Sequence, residues 1–332
     1  MNSIDFSTRT FKNELFKVNE NTFEDRALKL FNYQYQNVPI YRDFVDYIGT
    51  DVSMVTSLLK IPFLPIQFFK SQTVLVDNVK VQKVFESSGT TGSQTSKHYF
   101  DDVDFYLKNC ENIFQDKYGS IKEFVVLALL PSYLERGNSS LTAMCDHFIK
   151  QSKFAESGFY LYDFKQLAKH LNQISSKGCK VLLLGVTFAL LDLAEKIQTK
   201  LPDNFVIMET GGMKGRREEM TRTEIHEILR KSFGVSSIHS EYGMTELNSQ
   251  LYSSDNGFFT TPNWVNVFCR DINDPLSVGV KNGPINIVDL ANVNSCAFIA
   301  TDDLGEIKSN GEIKIMGRID NSDTRGCNLL VI

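Results

Sequence analysis

Between residues 123 and 240 the chain alternates short, nearly continuous apolar runs with amphipathic stretches, and this alternation constrains the fold more than any other feature. EFVVLALLP (123–131), GFYLYD (158–163), KVLLLGV (180–186), NFVIMETGG (204–212) and GVSSIHS (234–240) are each closed by Gly, Pro or polar residues. SLTAMCDHFIKQS, FKQLAKHLNQIS, FALLDLAEKIQTK and RREEMTRTEIHEILRKSF lie between them with apolar residues at helical spacing. An apolar run without alternation is a strand buried on both faces, and such strands joined by helices build a mainly parallel α/β sheet. Ligands of such sheets sit beyond the strand C-termini, where ETGGMKGRR and SEYGMTEL fall.

The flanking segments have different textures. Residues 10–60 read as helices, with Phe23, Ala27, Leu30 and Phe31 at three- and four-residue spacing and a break at Pro39. In IPFLPIQFFK (61–70), Pro62 and Pro65 exclude a regular helix, which predicts an extended, well-packed connector. After residue 250, WVNVFCRDI, PINIVDL, SCAFIATDDLGEI and GEIKIMGRID are strand-like runs without intervening helices. The expected organisation is a helical cover and α/β core over 1–250, then a smaller β-rich subdomain over 251–332.

Composition narrows the function classes. A net charge of −5 supplies no basic footprint for nucleic acid. No run of about 18 apolar residues predicts a membrane span, and a charged N-terminus without an apolar h-region predicts no secretory signal, so a cytoplasmic protein is expected. Cys110, Cys145, Cys179, Cys269, Cys296 and Cys327 are far apart without a CxxC pair, which argues against a zinc site or a redox motif. The 25 Phe and 12 Tyr either build the core or in part line a pocket for an apolar substrate.

Four loops carry the chemistry. SSGTTGSQTSK (87–97) offers two turn-permitting glycines, Gly89 and Gly92, the hydroxyls of Ser87, Ser88, Thr90, Thr91, Ser93 and Thr95, and the Lys97 ammonium, a composition that suits a polyphosphate and is shared with ordinary loops. It is not a Walker loop, because Ser96 stands where that motif needs glycine before its lysine. In EYGMTE (241–246), Gly243 permits a sharp turn, Tyr242 offers a ring for a base, Thr245 a hydroxyl and Glu246 a carboxylate for Mg²⁺; a strand-to-helix turn explains the same residues. TDDLG (301–305) places two carboxylates beside a predicted turn, either of which suits ribose hydroxyls, and GRIDNSDTRGC (317–327) is a charged loop running into Cys327.

In this order and at these separations the four loops resemble the adenylate-forming superfamily of acyl-CoA synthetases, luciferases and peptide synthetase adenylation domains. GRIDNSDTRGC and TGGMKGR resemble more closely the acyl-protein synthetases of the bacterial luminescence fatty acid reductase system, the LuxE-type family, and the resemblance covers essentially the whole chain. It implies the large N-terminal-type α/β domain of those enzymes, mostly parallel sheets flanked by helices with a smaller C-terminal β subdomain, without their second mobile domain. It also implies ATP and Mg²⁺. Ser88, Gly89, Thr90, Thr91, Gly92, Ser93, Thr95 and Lys97 would hold the phosphates, and Glu246 the metal. Gly211, Gly212, Tyr242, Gly243 and Thr245 would contact the nucleotide, Asp303 the ribose, and Arg318 ribose or phosphate. Cys327 matches the family's acyl-accepting cysteine.

The implied activity is ATP-dependent conversion of a long-chain fatty acid to acyl-AMP, with acyl transfer to Cys327 and on to a partner protein, a reductase or an acyl carrier protein. Two alternatives stand beside it: an adenylating ligase delivering acyl directly to a carrier protein or CoA, and a non-catalytic nucleotide-binding protein. The superfamily ribose motif has Gly where this chain has Asp302, which leaves Asp302 and Asp303 both open as the ribose ligand.

Overall fold

The computed structural model describes residues 6–87, 94–131, 137–161, 164–175, 177–197, 200–212, 218, 220–254 and 257–318, with position 318 described by its backbone alone. The chain divides into two compact units, one of residues 1–109, 244–249 and 261–313, the other of residues 110–243, 250–260 and 314–332. This division differs from the expected boundary at 250.

The first unit shows why the N-terminal helices belong with the late strands. Helix Glu20–Asn37 starts at the Asn19 capping box and buries Phe23, Ala27, Leu30, Phe31 and Gln34. Gln34 is fully buried, so its amide needs partners. It donates to the carbonyls of Asn292 and Val293 and accepts the Ala297 N–H, each contact spanning more than 250 residues of sequence. Pro39 opens the next helix, Pro39–Tyr47, where a missing N–H costs nothing, and Tyr41 from that helix stacks on Phe298.

Antiparallel strands Val278–Val280, Val265–Arg270, Asn282–Asp289 and Phe298–Ile307 neighbour one another in that order, with Val267 opposite Ile287 and Ile287 opposite Ile299. The connector at 61–70 is extended only at Leu64–Pro65, which runs parallel to Ile299–Ala300; it then forms the short helix Phe68–Ser71, so the expectation holds for its first half alone. TDDLG is part of a strand, as the run SCAFIATDDLGEI predicts, and not beside a turn. It lies within the ten-residue strand Phe298–Ile307, where Gly305 pairs with Gly283 and cross-strand pairing overrides the turn-like composition.

In the second unit Phe124–Leu129, Lys180–Val186, Phe205–Thr210 and His239–Tyr242 form the expected parallel sheet, with Leu127 opposite Leu183 and Leu183 opposite Ile207. Gly158–Phe159 adds a parallel edge shorter than the predicted run at 158–163, and Leu251–Ser253 closes the other edge antiparallel to His239–Tyr242. Helix Arg222–Phe233 is framed by a Thr221–Glu224 capping box and the left-handed Gly234. The large aromatics build cores: Tyr41, Phe31, Phe69 and Phe298 in the first unit and Phe114, Phe148, Phe188 and Phe233 in the second are fully buried. Among the described residues no helix is long and apolar enough to cross a membrane.

Candidate functional site

In the first unit the segments that flank the glycine-rich stretch form a two-stranded antiparallel hairpin. Lys83–Glu86 pairs with Lys97–Phe100, Glu86 opposite Lys97. Next to these strands the Ser87 N–H donates to the Ser96 carbonyl at 3.0 Å and the Ser96 N–H to Ser87 Oγ at 2.9 Å. Gln94 fastens one side by donating to the Lys70 carbonyl at 2.7 Å. Ser88, Gly89, Thr90, Thr91, Gly92 and Ser93 lie outside the described residues. Thr95 is half-buried and Lys97 exposed, at the mouth of the hairpin.

The segment Met244–Ser249 belongs to the same unit and is held by a buried polar network. Asp289 Oδ2 accepts the N–H groups of Asn248 and Ser249, each at 2.9 Å, while Oδ1 accepts Ser249 Oγ at 2.8 Å and the Ala291 N–H at 3.0 Å. Burial pushes the Asp289 carboxyl up to about 6, against the downward pull of these four donors. Asn292 donates to the Glu246 carbonyl at 2.8 Å and Asn109 to the Asn248 carbonyl at 2.7 Å. The Glu246 side chain is fully buried. His98, from the hairpin, has Nδ1 2.8 Å from the Thr245 carbonyl oxygen. The hairpin that carries Lys97 is thereby brought against the loop that carries Thr245 and Glu246.

Asp303 lies on the buried face of its strand at 2% exposure, while Asp302 points the other way and accepts Gln67 Nε2 at 2.7 and 2.9 Å. Behind Asp302, Arg270 donates to the Ile285 carbonyl, Asn286 Oδ1 and the Thr301 carbonyl.

The second unit carries Gly211, Gly212, Tyr242 and Gly243 at the C-terminal ends of adjacent parallel strands, with Thr210 opposite Glu241. Gly211 turns the chain at φ 69°, a left-handed conformation that disfavours any side chain. Tyr242 is 5% exposed, and its ring meets Phe259 at 63° with centroids 6.0 Å apart. Behind these segments lies a cluster that sequence reading does not single out. Glu209 Oε1 accepts Ser240 Oγ at 2.6 Å and Arg222 Nε at 3.2 Å, with His226 Nε2 at 3.5 Å, and Glu209 Oε2 accepts Thr187 Oγ1 at 3.1 Å. Burial raises the Glu209 carboxyl, but His226, Arg222 and Ser240 outweigh it and hold the group below its ordinary range. Glu241 accepts the Thr210 hydroxyl, and burial pushes it up to about 7, with the nearby Glu209 charge adding to the rise. Thr187 Oγ1 also lies 3.1 Å from the Gly211 carbonyl, tying the cluster to the glycine turn. Arg318 ends the strand Ile313–Arg318, and Cys327 lies outside the described residues.

His98, Asp289, Asn292, Glu209 and Glu241 are the polar residues that sequence reading misses here. Glu241 opens the EYGMTE stretch without a role read for it, and each of the others is a single polar position in or beside an apolar run; the one usable signal is a carboxylate, Glu209 or Glu241, at the C-terminal end of a predicted buried strand.

A family model described as "Acyl-protein synthetase, LuxE" matches residues 4–332. The long-chain-fatty-acid–luciferin-component ligase of Vibrio harveyi is 24% identical over 329 residues, covering 90% of this chain and 84% of the relative. A 2-hydroxyisobutyryl-CoA ligase solved with 2-HIB-AMP and CoA superposes with a TM-score of 0.65 at 15% identity, over 96% of this chain and 70% of that one. ATP-bound MatB from Rhodopseudomonas palustris does so with a TM-score of 0.52 at 16% identity over 72% of this chain, which spans about half, 48%, of the MatB length. At these identities the two structures show the fold, that of the adenylate-forming enzymes.

Proposed function

The chain belongs to the acyl-protein synthetase family LuxE and is an acid–thiol ligase, and from that premise we propose that it activates a long-chain fatty acid with ATP and passes the acyl group through Cys327 to a protein acceptor. In the first step a fatty acid carboxylate oxygen attacks the α-phosphorus, the bond to pyrophosphate breaks, and acyl-AMP forms. In the second the Cys327 thiolate attacks the acyl carbonyl, AMP leaves with the electrons of the C–O bond, and a thioester remains for transfer to the partner.

The chain's own residues would divide this work. Ser88, Gly89, Thr90, Thr91, Gly92, Ser93 and Thr95 present N–H groups and hydroxyls to the phosphates, and Lys97 adds a charge at the hairpin mouth. Gly211, Gly212, Tyr242, Gly243 and Thr245 line the nucleotide, and Arg318 meets ribose or phosphate. Asp303 meets the ribose in this reading, with Asp302, which accepts Gln67, as the alternative.

Glu246 is the residue that would hold Mg²⁺. No group of three or more potential ligands exists among the described residues. One hard oxygen donor suits an ion that commonly takes one or two carboxylates and fills its other positions with phosphate oxygens and water. Bound there, magnesium would offset charge on the reacting phosphates.

The observation that carries this reading is the link between the hairpin and the 244–249 loop, which supports a joint role for Lys97 and Glu246. The test is fatty-acid-dependent ATP–pyrophosphate exchange, run across acids of increasing chain length. Exchange that rises with chain length supports the reading; no exchange with any acid leaves a nucleotide-binding protein, and preference for acetate overturns the long-chain substrate.

A further inference from the structure

His98 is 1% exposed, and its ring meets Phe69 at 5.7 Å and Phe100 at 4.4 Å between centroids. Burial lowers its pKa to about 4, against the upward pull of the Thr245 carbonyl, Glu246 and Asp101. The ring is therefore neutral at ordinary pH and carries one N–H. A carbonyl oxygen only accepts, so the 2.8 Å contact between Nδ1 and Thr245 O places that proton on Nδ1. His98 directly follows Lys97, and Thr245 directly precedes Glu246. One buried hydrogen bond thus joins, at adjacent positions, the strand bearing the cation and the loop bearing the carboxylate.

Alternation along the strand makes this link stiff. Lys97 is exposed and His98 buried, so the ammonium stays in solvent while the next residue anchors the backbone beneath it. On the loop side the Glu246 carbonyl is held by Asn292 and the Asn248 and Ser249 N–H groups by Asp289, so the His98 bond engages a segment already fixed against the sheet.

We propose that His98 is a positioning residue that sets the spacing of Lys97 and Glu246 through its Nδ1–H bond to the Thr245 carbonyl, so that a magnesium–nucleoside triphosphate is gripped by both at once. The inference rests on the nucleotide roles proposed above for those two residues. Misplacement of such groups by about 1 Å is enough to cost on the order of a hundredfold in function.

The discriminating variants keep the packing or keep the donor. His98→Phe retains a flat ring between Phe69 and Phe100 without an N–H, whereas His98→Asn places an amide N–H close to the position of Nδ1. Binding of MgATP is measured by titration calorimetry at a temperature well below each variant's melting point. The expected result is at least a tenfold loss of MgATP affinity in His98→Phe, restored to within about threefold of wild type in His98→Asn, with binding of ATP in EDTA changed much less.

A His98→Phe variant that binds MgATP like wild type overturns the proposal, as does a folded His98→Asn as weak as His98→Phe. Should neither variant fold, the wild-type protein decides by ¹⁵N NMR of its histidines. An Nδ1–H resonance of His98 that slows its solvent exchange on addition of MgATP supports the link, and one that does not respond overturns it. Wild-type protein that binds no MgATP overturns the nucleotide reading as well, and is told apart from the other outcomes by needing no variant.

Discussion

Gly243 lies against the carboxylate of Glu241: a Cβ placed on Gly243 would come within 2.5 Å of Glu241 Oε1. The carboxylate has little freedom to withdraw, because it is buried and accepts the Thr210 hydroxyl of the neighbouring strand. Gly243 is not left-handed, so the absence of a side chain there reflects this close approach rather than the sharp turn its sequence suggests.

Gly243→Ala is expected to destabilise the protein by about 1–3 kcal/mol, the usual cost of overpacking. In a Glu241→Ala background the same substitution should cost at least about 1 kcal/mol less, since the clashing oxygen is gone. Chemical denaturation of the four proteins of the cycle measures this coupling; additive effects would show that the contact is relieved elsewhere.

Glu241 also predicts a pH dependence. Its folded pKa, about 7, exceeds the ordinary 4.5, so the folded state binds its proton more tightly than the unfolded one. The contribution is fully present below pH 4.5 and is lost as pH rises towards 7, by about 3 kcal/mol in all. Glu241→Gln, which cannot ionise, should gain on wild type across that window and stay ahead at pH 8. Melting temperatures from pH 5 to pH 8 test it, and parallel curves for the two proteins would place the Glu241 pKa outside the window.

The parallel sheet of the second unit is legible because Val125, Leu127 and Leu183 on one face and Val126, Ala128 and Leu182 on the other are all buried, which leaves continuous apolar runs in the sequence. The β-rich C-terminal region is legible for a related reason, its strands being separated by turn dipeptides. TDDLG reads two ways, as part of the strand-like run SCAFIATDDLGEI and as turn residues Asp, Asp and Gly, and pairing with Asn282–Asp289 across the sheet decides for the strand. The packing of the N-terminal helix on the late strands is illegible because it runs through Gln34 reaching the 292–297 segment, a contact between residues 258 or more positions apart. His98 and Asp289 are hidden similarly: each acts on a backbone group far along the chain and leaves no local pattern.

Asp289 gives the third prediction. Asp289→Ala leaves the N–H groups of Asn248, Ser249 and Ala291 without their acceptor in a buried site, at a cost on the order of 3 kcal/mol. Asp289→Asn keeps one oxygen but turns an amide N–H₂ towards other donors, and should recover only part of that loss. Because the 244–249 loop carries Glu246, both variants should weaken MgATP binding more than ATP binding in EDTA. Equal losses with and without magnesium would confine Asp289 to a general folding role.

The last prediction separates acyl transfer through the enzyme from direct delivery to an external thiol, and it turns on Cys327. The sequence sets that cysteine between Gly326 and Asn328, two residues after Arg325, whose charge favours a thiolate. Three of the other cysteines offer poorer nucleophiles: burial pushes the Cys296 thiol up to about 12 and the Cys269 thiol up to about 11, and holds the Cys145 thiol well above its ordinary value. Cys327→Ser should therefore keep fatty-acid-dependent pyrophosphate exchange, since adenylation needs no thiol, yet lose hydroxylamine-labile labelling by radioactive fatty acid and ATP. Serine or alanine at Cys110, Cys145, Cys179, Cys269 or Cys296 should leave that labelling intact in any variant that folds. Labelling of Cys327→Ser at the wild-type level would mean that the acyl group leaves the adenylate for another acceptor, and the relay through Cys327 would fall while the adenylation step stood.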